Sequence, residues 1–155
     1  NRGFSLIVAV TENTITKPKI GTSNLSANYY IITWPEDGLM SLEAVNEGAI
    51  VTKPFIFTGE TLHVNASINQ EGYIKFELID ATANQESDIE PIENREFKDC
   101  DDLETDKHNH LVTWSGESNL SKWSGRPVRL AIRMRQSRLH SLHFKKEIRS
   151  VTENY

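Results

Sequence analysis

A single cysteine, Cys100, stands in 155 residues, which excludes an internal disulfide framework and leaves the redox compartment undetermined. No apolar run approaches the roughly 18 residues that a membrane-spanning helix needs, and there is no signal-peptide pattern. Excess positive charge is missing too: the net charge of −5 argues against a nucleic-acid binder, for which a basic surface is expected. Internal repeats, long amphipathic helices, a nucleophile elbow, a supported Cys-His arrangement and a glycine-rich phosphate loop are all lacking. The first residue is Asn1 and not Met, so the expectation is a processed chain or an excised piece of one, and missing targeting signals carry no information about location.

What the chain does have is period-two patterning. From Val128 to Met134 the apolar residues Val128, Leu130, Ile132 and Met134 alternate with Arg129, Ala131, Arg133 and Arg135, which predicts a half-buried strand. Gln136 and Ser137 predict a turn, with Arg138 to Phe144 returning as the second arm of a hairpin. Further strands are predicted at Phe4–Val10, Tyr29–Trp34, Leu39–Val45, Ala49–Phe57, Thr61–Ile68, Tyr73–Asp80 and His110–Trp114. Pro35 and the Glu36-Asp37-Gly38 turn make residues 29–45 read as a hairpin. Short strands separated by turn signals predict an all-β fold, an antiparallel two-sheet sandwich of jelly-roll type. The core expected for it comprises Ile74, Phe76, Leu78, Trp114, Val128, Leu130 and Ile132. The length suits one domain able to bury a core without disulfides. Its expected divisions are an N-terminal strand, loop and junction strand over 1–34, the β domain over 35–145 and a polar tail over 146–155. The polar, acidic stretch from Ala81 to Asp106 reads as a long connection between sheets.

Several clusters could carry chemistry. Asp99, Asp101, Asp102, Glu104 and Asp106 offer carboxylate oxygens of the kind Ca²⁺ prefers, with Asp99, Asp101 and Asp106 as candidate ligands, although the EF-hand spacing is not met. A solvated acidic loop is the alternative. His108 and His110 share a side if extended, but zinc would need a third ligand that the sequence does not fix. Cys100, flanked by Asp99 and Asp101, has its thiolate disfavoured by like charge. Glycosidic hydrolysis needs two carboxylates flanking the bond at roughly 5–10 Å, and nothing singles out such a pair among Glu77, Asp80 and the acidic loop. Sugar binding uses aromatic faces ringed by hydrogen-bonding groups, for which Tyr73, Trp34, Trp114 and Trp123 are candidates. Trp114 and Trp123 also suit the core, Trp123 with Leu120 on a capped helical turn in SNLSKWSG. Asn24, Asn65 and Asn119 begin N-x-Ser sequons, which several chance matches would also produce in so Asn- and Ser-rich a chain.

The arginines form the last cluster. Arg129, Arg133 and Arg135 share one sheet face at about 6.5–7 Å between successive alternates. Cross-strand carboxylates balance them, as the mixture of Lys75 and Glu77 suggests, or else the cluster forms an anion site together with Tyr73. Guanidinium groups pair bidentately with carboxylates and sulfates, so uronate-containing or sulfated polysaccharides are the anionic glycans to consider.

WPEDGLMSLEA (34–44), TKPFIFTGETLHVNA (52–66), GYIKFELIDA (72–81), FKDCDDLETDKHNHLVTWSG (97–116) and SNLSKWSGRPVRLAIRMRQSRLHSLHF (118–144) occur in this order. Together they resemble the C-terminal β-sandwich module that follows a five-bladed β-propeller in sialidase- and fructosidase-like glycoside hydrolase proteins. Asp102 and Thr105 depart from the Pro and Gly usual in the acidic loop, and His140 stands where an aromatic is usual. The resemblance implies a non-catalytic accessory module that braces an adjacent propeller or binds carbohydrate, in an extracellular or periplasmic setting; no cofactor is expected apart from the Ca²⁺ that the acidic loop could hold. Fewer than forty residues precede the matching region, too few for propeller blades of four strands each, so the chain by itself is expected not to hydrolyse glycosides while its parent protein could. The alternative is a protein-interaction or adhesion domain with no carbohydrate role, and neither reading involves nucleic acid or membrane.

Overall fold

The alternation around Ile132 forms the strand it predicts, but that strand runs on without a turn. A computed structural model describes the backbone of residues 3–10 and 28–35, and residues 40–82, 90–103 and 109–146 in full. The described strands are β1 (Gly3–Val10), β2 (Asn28–Pro35), β3 (Leu42–Val51), β4 (Phe55–Ile56), β5 (Thr61–Asp80), β6 (His110–Leu111) and β7 (Pro127–Lys145). The chain is all-β, with one short 3-10 turn at Ser121–Trp123 among the described residues. It divides into two units, Asn1–Leu39 and Met40–Tyr155. Beyond Lys146, the expected polar tail lies outside the described residues.

The first unit holds β1 and β2, paired antiparallel from Gly3 opposite Pro35 to Val10 opposite Asn28. This corrects the hairpin expected over 29–45: β2 pairs with the apolar run before it, and β3 pairs instead with β7. The Glu36-Asp37-Gly38 turn lies outside the described residues.

In the second unit the strand order is β3-β7-β5-β6, with β4 also on β7, and this sheet is not closed on itself. The hairpin predicted at Gln136–Ser137 is replaced by one strand, because β5 is long enough to pair with β7 along both halves, from Thr61 opposite Lys145 to Asp80 opposite Val128. Between Ile68 opposite Ser137 and Tyr73 opposite Arg135, β5 carries residues 69–72 against Gln136 alone. The polar Asn69-Gln70-Glu71-Gly72 and Gln136-Ser137 stretches thus mark a shared bulge, where an extra length of one strand bends the ladder. Gln136 takes φ 42°, and the Ser137 hydroxyl donates to the Tyr73 carbonyl at 3.1 Å. The strands expected at 39–45 and 49–57 likewise merge into β3, with a register shift between Ala44 and Glu47, and β4. Between them the Leu130 N–H donates to Thr52 Oγ1 at 3.0 Å, so the hydroxyl continues the pairing before Pro54 interrupts it.

The period-two faces decide what is buried. Leu62, Val64, Ile74, Phe76 and Leu78 of β5 meet Val128, Leu130, Ile132 and Met134 of β7 in one core, so both halves of the bent β5 feed it. Val112, Trp114, Leu120 and Cys100 from the 90–126 region complete that core. All seven core residues expected from the sequence are buried. Residues 90–103 run along the edge of β5 that β7 leaves free. The Leu78 N–H donates to the Arg95 carbonyl (2.9 Å), the Ile92 N–H to the Leu78 carbonyl (2.8 Å), the Phe76 N–H to Cys100 Sγ (3.3 Å) and Trp114 Nε1–H to the Phe76 carbonyl (2.9 Å). An edge that would otherwise invite another chain is thereby satisfied.

The two faces give a direct test. Ile132→Ala is expected to lose about 2–5 kcal/mol, as large-to-small core changes do. Its neighbour Arg133, on the outer face, is expected to lose under about 1 kcal/mol on change to Ala. Urea melts of the two variants giving the opposite order would put the wrong face inside.

Candidate functional site

The outer face of the β5–β7 ladder carries the residues that alternate with the core: Tyr73, Lys75, Glu77 and Ile79 on β5, opposite Arg135, Arg133, Ala131 and Arg129 on β7. On the other side of β7, Glu47 stands opposite Arg135 and Ala49 opposite Arg133. The sequence places these side chains on one face; it does not show that the acidic connection comes back over them. The Phe97 N–H donates to Glu77 Oε2 at 3.2 Å, and the Phe97 ring lies under the Arg133 guanidinium, 4.7 Å from its centroid. Lys75 donates to the Cys100 carbonyl at 2.6 Å and pairs with Asp102 at 2.5 Å.

These contacts shape an open groove of about 510 Å³, with Tyr73, Lys75, Glu77, Phe97 and Arg133 among its walls. Glu96 and Lys98, ion-paired at 2.8 Å, also line it. The Tyr73 hydroxyl is raised above its ordinary pKa by desolvation first and then by its hydrogen bond to Glu47, against the pull of Arg133 and Arg135. It remains a neutral donor at physiological pH.

Of the four residues expected to bind a ligand, Tyr73 and Arg133 line this groove. Arg135 is exposed beside Tyr73 and opposite Glu47 without lining it, and Arg129 sits half-buried opposite Ile79 at the far end of the face. Arg138 does not begin a partner strand: it lies past the bulge on β7 and pairs with Glu43 at 2.7 Å, so there the charge is balanced across strands. Sequence reasoning missed Phe97 and named Lys75 only as part of a charge-balanced outer face. Phe97 is a lone aromatic in a polar connection, and only its fold over β5 gives it a role.

The acidic loop is largely spent on structure. Asp101 Oδ2 accepts from Thr113 Oγ1 (2.6 Å) and the Gly116 N–H (2.8 Å), and these bonds hold its carboxyl below the usual aspartate range. The Asp99 backbone carbonyl accepts from the Ser115 N–H at 2.7 Å while the buried Asp99 Oδ2 has no hydrogen-bond partner among the described residues, Asp102 turns to Lys75, and Asp106 lies outside the described residues. Among the described residues no three His, Cys, Asp or Glu side chains converge as metal ligands. His108 lies outside those residues, His110 is buried on β6, and His63 stands opposite His143 with its pKa lowered by burial and by Lys145. Cys100 is buried, and burial pushes its thiol up to about 11, more than the flanking carboxylates do. It is an inert core thiol.

Of the tryptophans, Trp114 is buried with its N–H on Phe76, so it is core and not a platform. The side chain of Trp34 lies outside what is described. Trp123 is half-buried. Leu120 beside it is fully buried, and Asn119 Oδ1 accepts from the Ser121 N–H at 2.8 Å to set the helical turn. Between Trp114 and Trp123 lies the buried Arg95 guanidinium, 5.5 and 5.3 Å from the two rings, donating to the carbonyls of Asn94 (2.6 Å) and Asn119 (3.0 Å). A second groove of about 680 Å³ opens beside it, where Arg126 pairs with Asp80 at 3.6 Å. Arg95 is held by these two carbonyls and rings, with its buried Nε left without a hydrogen-bond partner among the described residues, and the outer-face groove, where Tyr73, Phe97 and Arg133 meet, is taken as the candidate site. No family model, curated protein or solved structure matches the chain, so its functional reading rests on that groove and on its sequence motifs.

Proposed function

We propose that the chain is a non-catalytic accessory module of a carbohydrate-active, glycoside-hydrolase-like protein, folded as a jelly-roll-like β-sandwich, and that it binds glycan in the outer-face groove. The observation that carries this reading is the groove itself. Tyr73 and Phe97 supply apolar ring surface, and Lys75, Glu77 and Arg133 surround it with hydrogen-bonding groups, the combination that sugar rings require. The shared bulge in β5 and β7 supports the two-layer architecture, because strands that bend at bulges make the corners of sandwiches and both halves of β5 feed one core. The groove carboxylates support a binding role over a hydrolytic one: Glu77 accepts from a backbone N–H, Glu96 is paired with Lys98 and Asp102 with Lys75.

A second reading, bracing of an adjoining propeller domain, is favoured by the edge strand β3, on which Val45, Ile50 and Val51 are exposed, with Met40 and Ile56 exposed nearby. Apolar side chains gathered on one edge suit a protein contact. The glycan reading is tested by screening the chain against an array of neutral and acidic oligosaccharides and assaying the bound ones for cleavage. Binding without turnover is expected. A blank array would leave bracing, and turnover abolished by a single carboxylate substitution would overturn the non-catalytic assignment.

A further inference from the structure

We infer that the groove selects glycans carrying a carboxylate, uronic-acid residues, and that Arg133 is the residue that reads it; this rests on the glycan-binding reading above. The argument starts from the charge pairing around the groove. Lys75 is taken by Asp102 and the Cys100 carbonyl, Lys98 by Glu96, and Glu77, the remaining carboxylate of the lining, accepts from the Phe97 N–H. Arg133 has no ion pair with any carboxylate among the described residues. Its neighbours across the strands make this unusual: they are Lys75 on β5 and Ala49 on β3. Like charges directly opposite each other are unfavourable in a sheet, and a cross-strand carboxylate is the ordinary remedy. Arg138, on the same strand, has that remedy in Glu43. At Arg133 the place of the anion is left to something else.

Phe97 determines how Arg133 can be used. The guanidinium carbon lies over the Phe97 ring, 4.7 Å from its centroid, and a guanidinium that stacks on a ring by its face keeps its N–H edge for in-plane hydrogen bonding. That edge matches a planar carboxylate with two parallel bonds, a geometry lysine does not reproduce. Beside it, Tyr73 lines the same groove and gives the apolar side of a sugar ring a surface to rest on. An aromatic face next to an edge-presenting guanidinium is a subsite for a sugar whose ring and carboxylate are held at fixed separation. Sulfate esters share the negative charge but not the planarity, so they rank below uronates. A neutral sugar leaves Arg133 without its anion.

The test compares one oligosaccharide in two states. A trimer of galacturonic acid and the same trimer fully methyl-esterified are titrated into the whole chain by calorimetry, at low and at high salt. The acid form is expected to bind at least about tenfold more tightly, to weaken with salt and to lose about tenfold on Arg133→Ala and also on Arg133→Lys, which keeps the charge but not the fork. Arg135→Ala, exposed outside the groove, controls for general loss of positive charge and is expected to lose less than Arg133→Lys. Arg133→Lys also serves if the alanine variant does not fold. Equal binding of both forms, with Tyr73→Ala abolishing it, would overturn the carboxylate assignment while leaving glycan binding in place. Selective binding of the acid form unchanged in both Arg133 variants would overturn the role of Arg133. Absence of binding to either trimer while the array reports neutral glycans would overturn the inference alone, and a blank array would remove the glycan-binding reading and this inference with it.

Discussion

Trp114→Ala is expected to destabilise the second unit by about 3–5 kcal/mol, the range for removing a fully buried large aromatic. The side chain is 1% exposed, and three separate elements depend on it. Its indole N–H satisfies the Phe76 carbonyl at 2.9 Å on the otherwise open edge of β5, its backbone bridges Cys100 and Glu117, and the Arg95 guanidinium lies 5.5 Å from its ring. Truncation leaves a cavity, an orphaned carbonyl and an arginine stripped of one of its two aromatic neighbours. Trp114→Phe separates these effects. It restores much of the volume but not the donor, so its loss is expected to fall to about 1–3 kcal/mol, the cost of an unsatisfied buried acceptor. Equilibrium urea unfolding followed by far-UV circular dichroism reads both. A loss under about 1 kcal/mol for the alanine variant would mean that the indole is a surface platform after all.

Gly72→Ala is the second large effect, expected at about 1–3 kcal/mol for a single added methyl group. A Cβ at residue 72 would stand 2.5 Å from the Gln136 carbonyl oxygen and 2.7 Å from that of Arg135, and both are backbone atoms that no rotamer change can move. The shared bulge therefore requires a residue without a side chain where β5 passes closest to β7. Gly48 provides the comparison. On the exposed strand β3 its Cβ would meet only the Ala44 methyl at 3.9 Å, so Gly48→Ala is expected to be neutral or to stabilise by up to about 1 kcal/mol through the unfolded chain. Thermal melts of the two variants, identical in chemistry, then report whether close approach at the bulge is real. Equal shifts would contradict the register of the two long strands.

The all-β class and the buried face were legible because period two is a local property: Ile74, Phe76 and Leu78, like Val128, Leu130 and Ile132, declare their side without reference to a partner. Where strands end was not legible. Gln136-Ser137 and Asn69 to Gly72 have turn composition, and composition alone does not distinguish a chain reversal from a bulge; the presence of an equally long partner decides it. The same limit applied to the site. Arg133, Tyr73 and Lys75 could be placed on the outer face from their spacing, but Phe97, the partners of Lys75 and the spent carboxylate of Asp101 depend on where the 90–103 connection travels, which is a tertiary outcome. Trp114 was expected in the core and is buried there, and what the sequence could not show is that its N–H caps the Phe76 carbonyl.

The pairing of β5 with β7 along both halves also governs how this domain assembles. Thr61 and Lys145, joined by a hydrogen bond at one end of the ladder, lie 84 residues apart in the chain, whereas Asp80 and Val128 at the other end are the partners nearest in sequence. Closing a longer loop costs more chain entropy, so the ladder is cheapest to start at the Asp80–Val128 end and to zip past the bulge toward Thr61 and Lys145. Most of its contacts are non-local, so the domain is expected to fold slowly, on the order of milliseconds to seconds. Until the zipping passes Gly72, the Leu62, Val64 and Ala66 face of β5 waits without the Leu139, Leu142 and Phe144 side of β7 that covers it. The second half of the ladder is therefore expected to be open to mispairing with another copy until it closes.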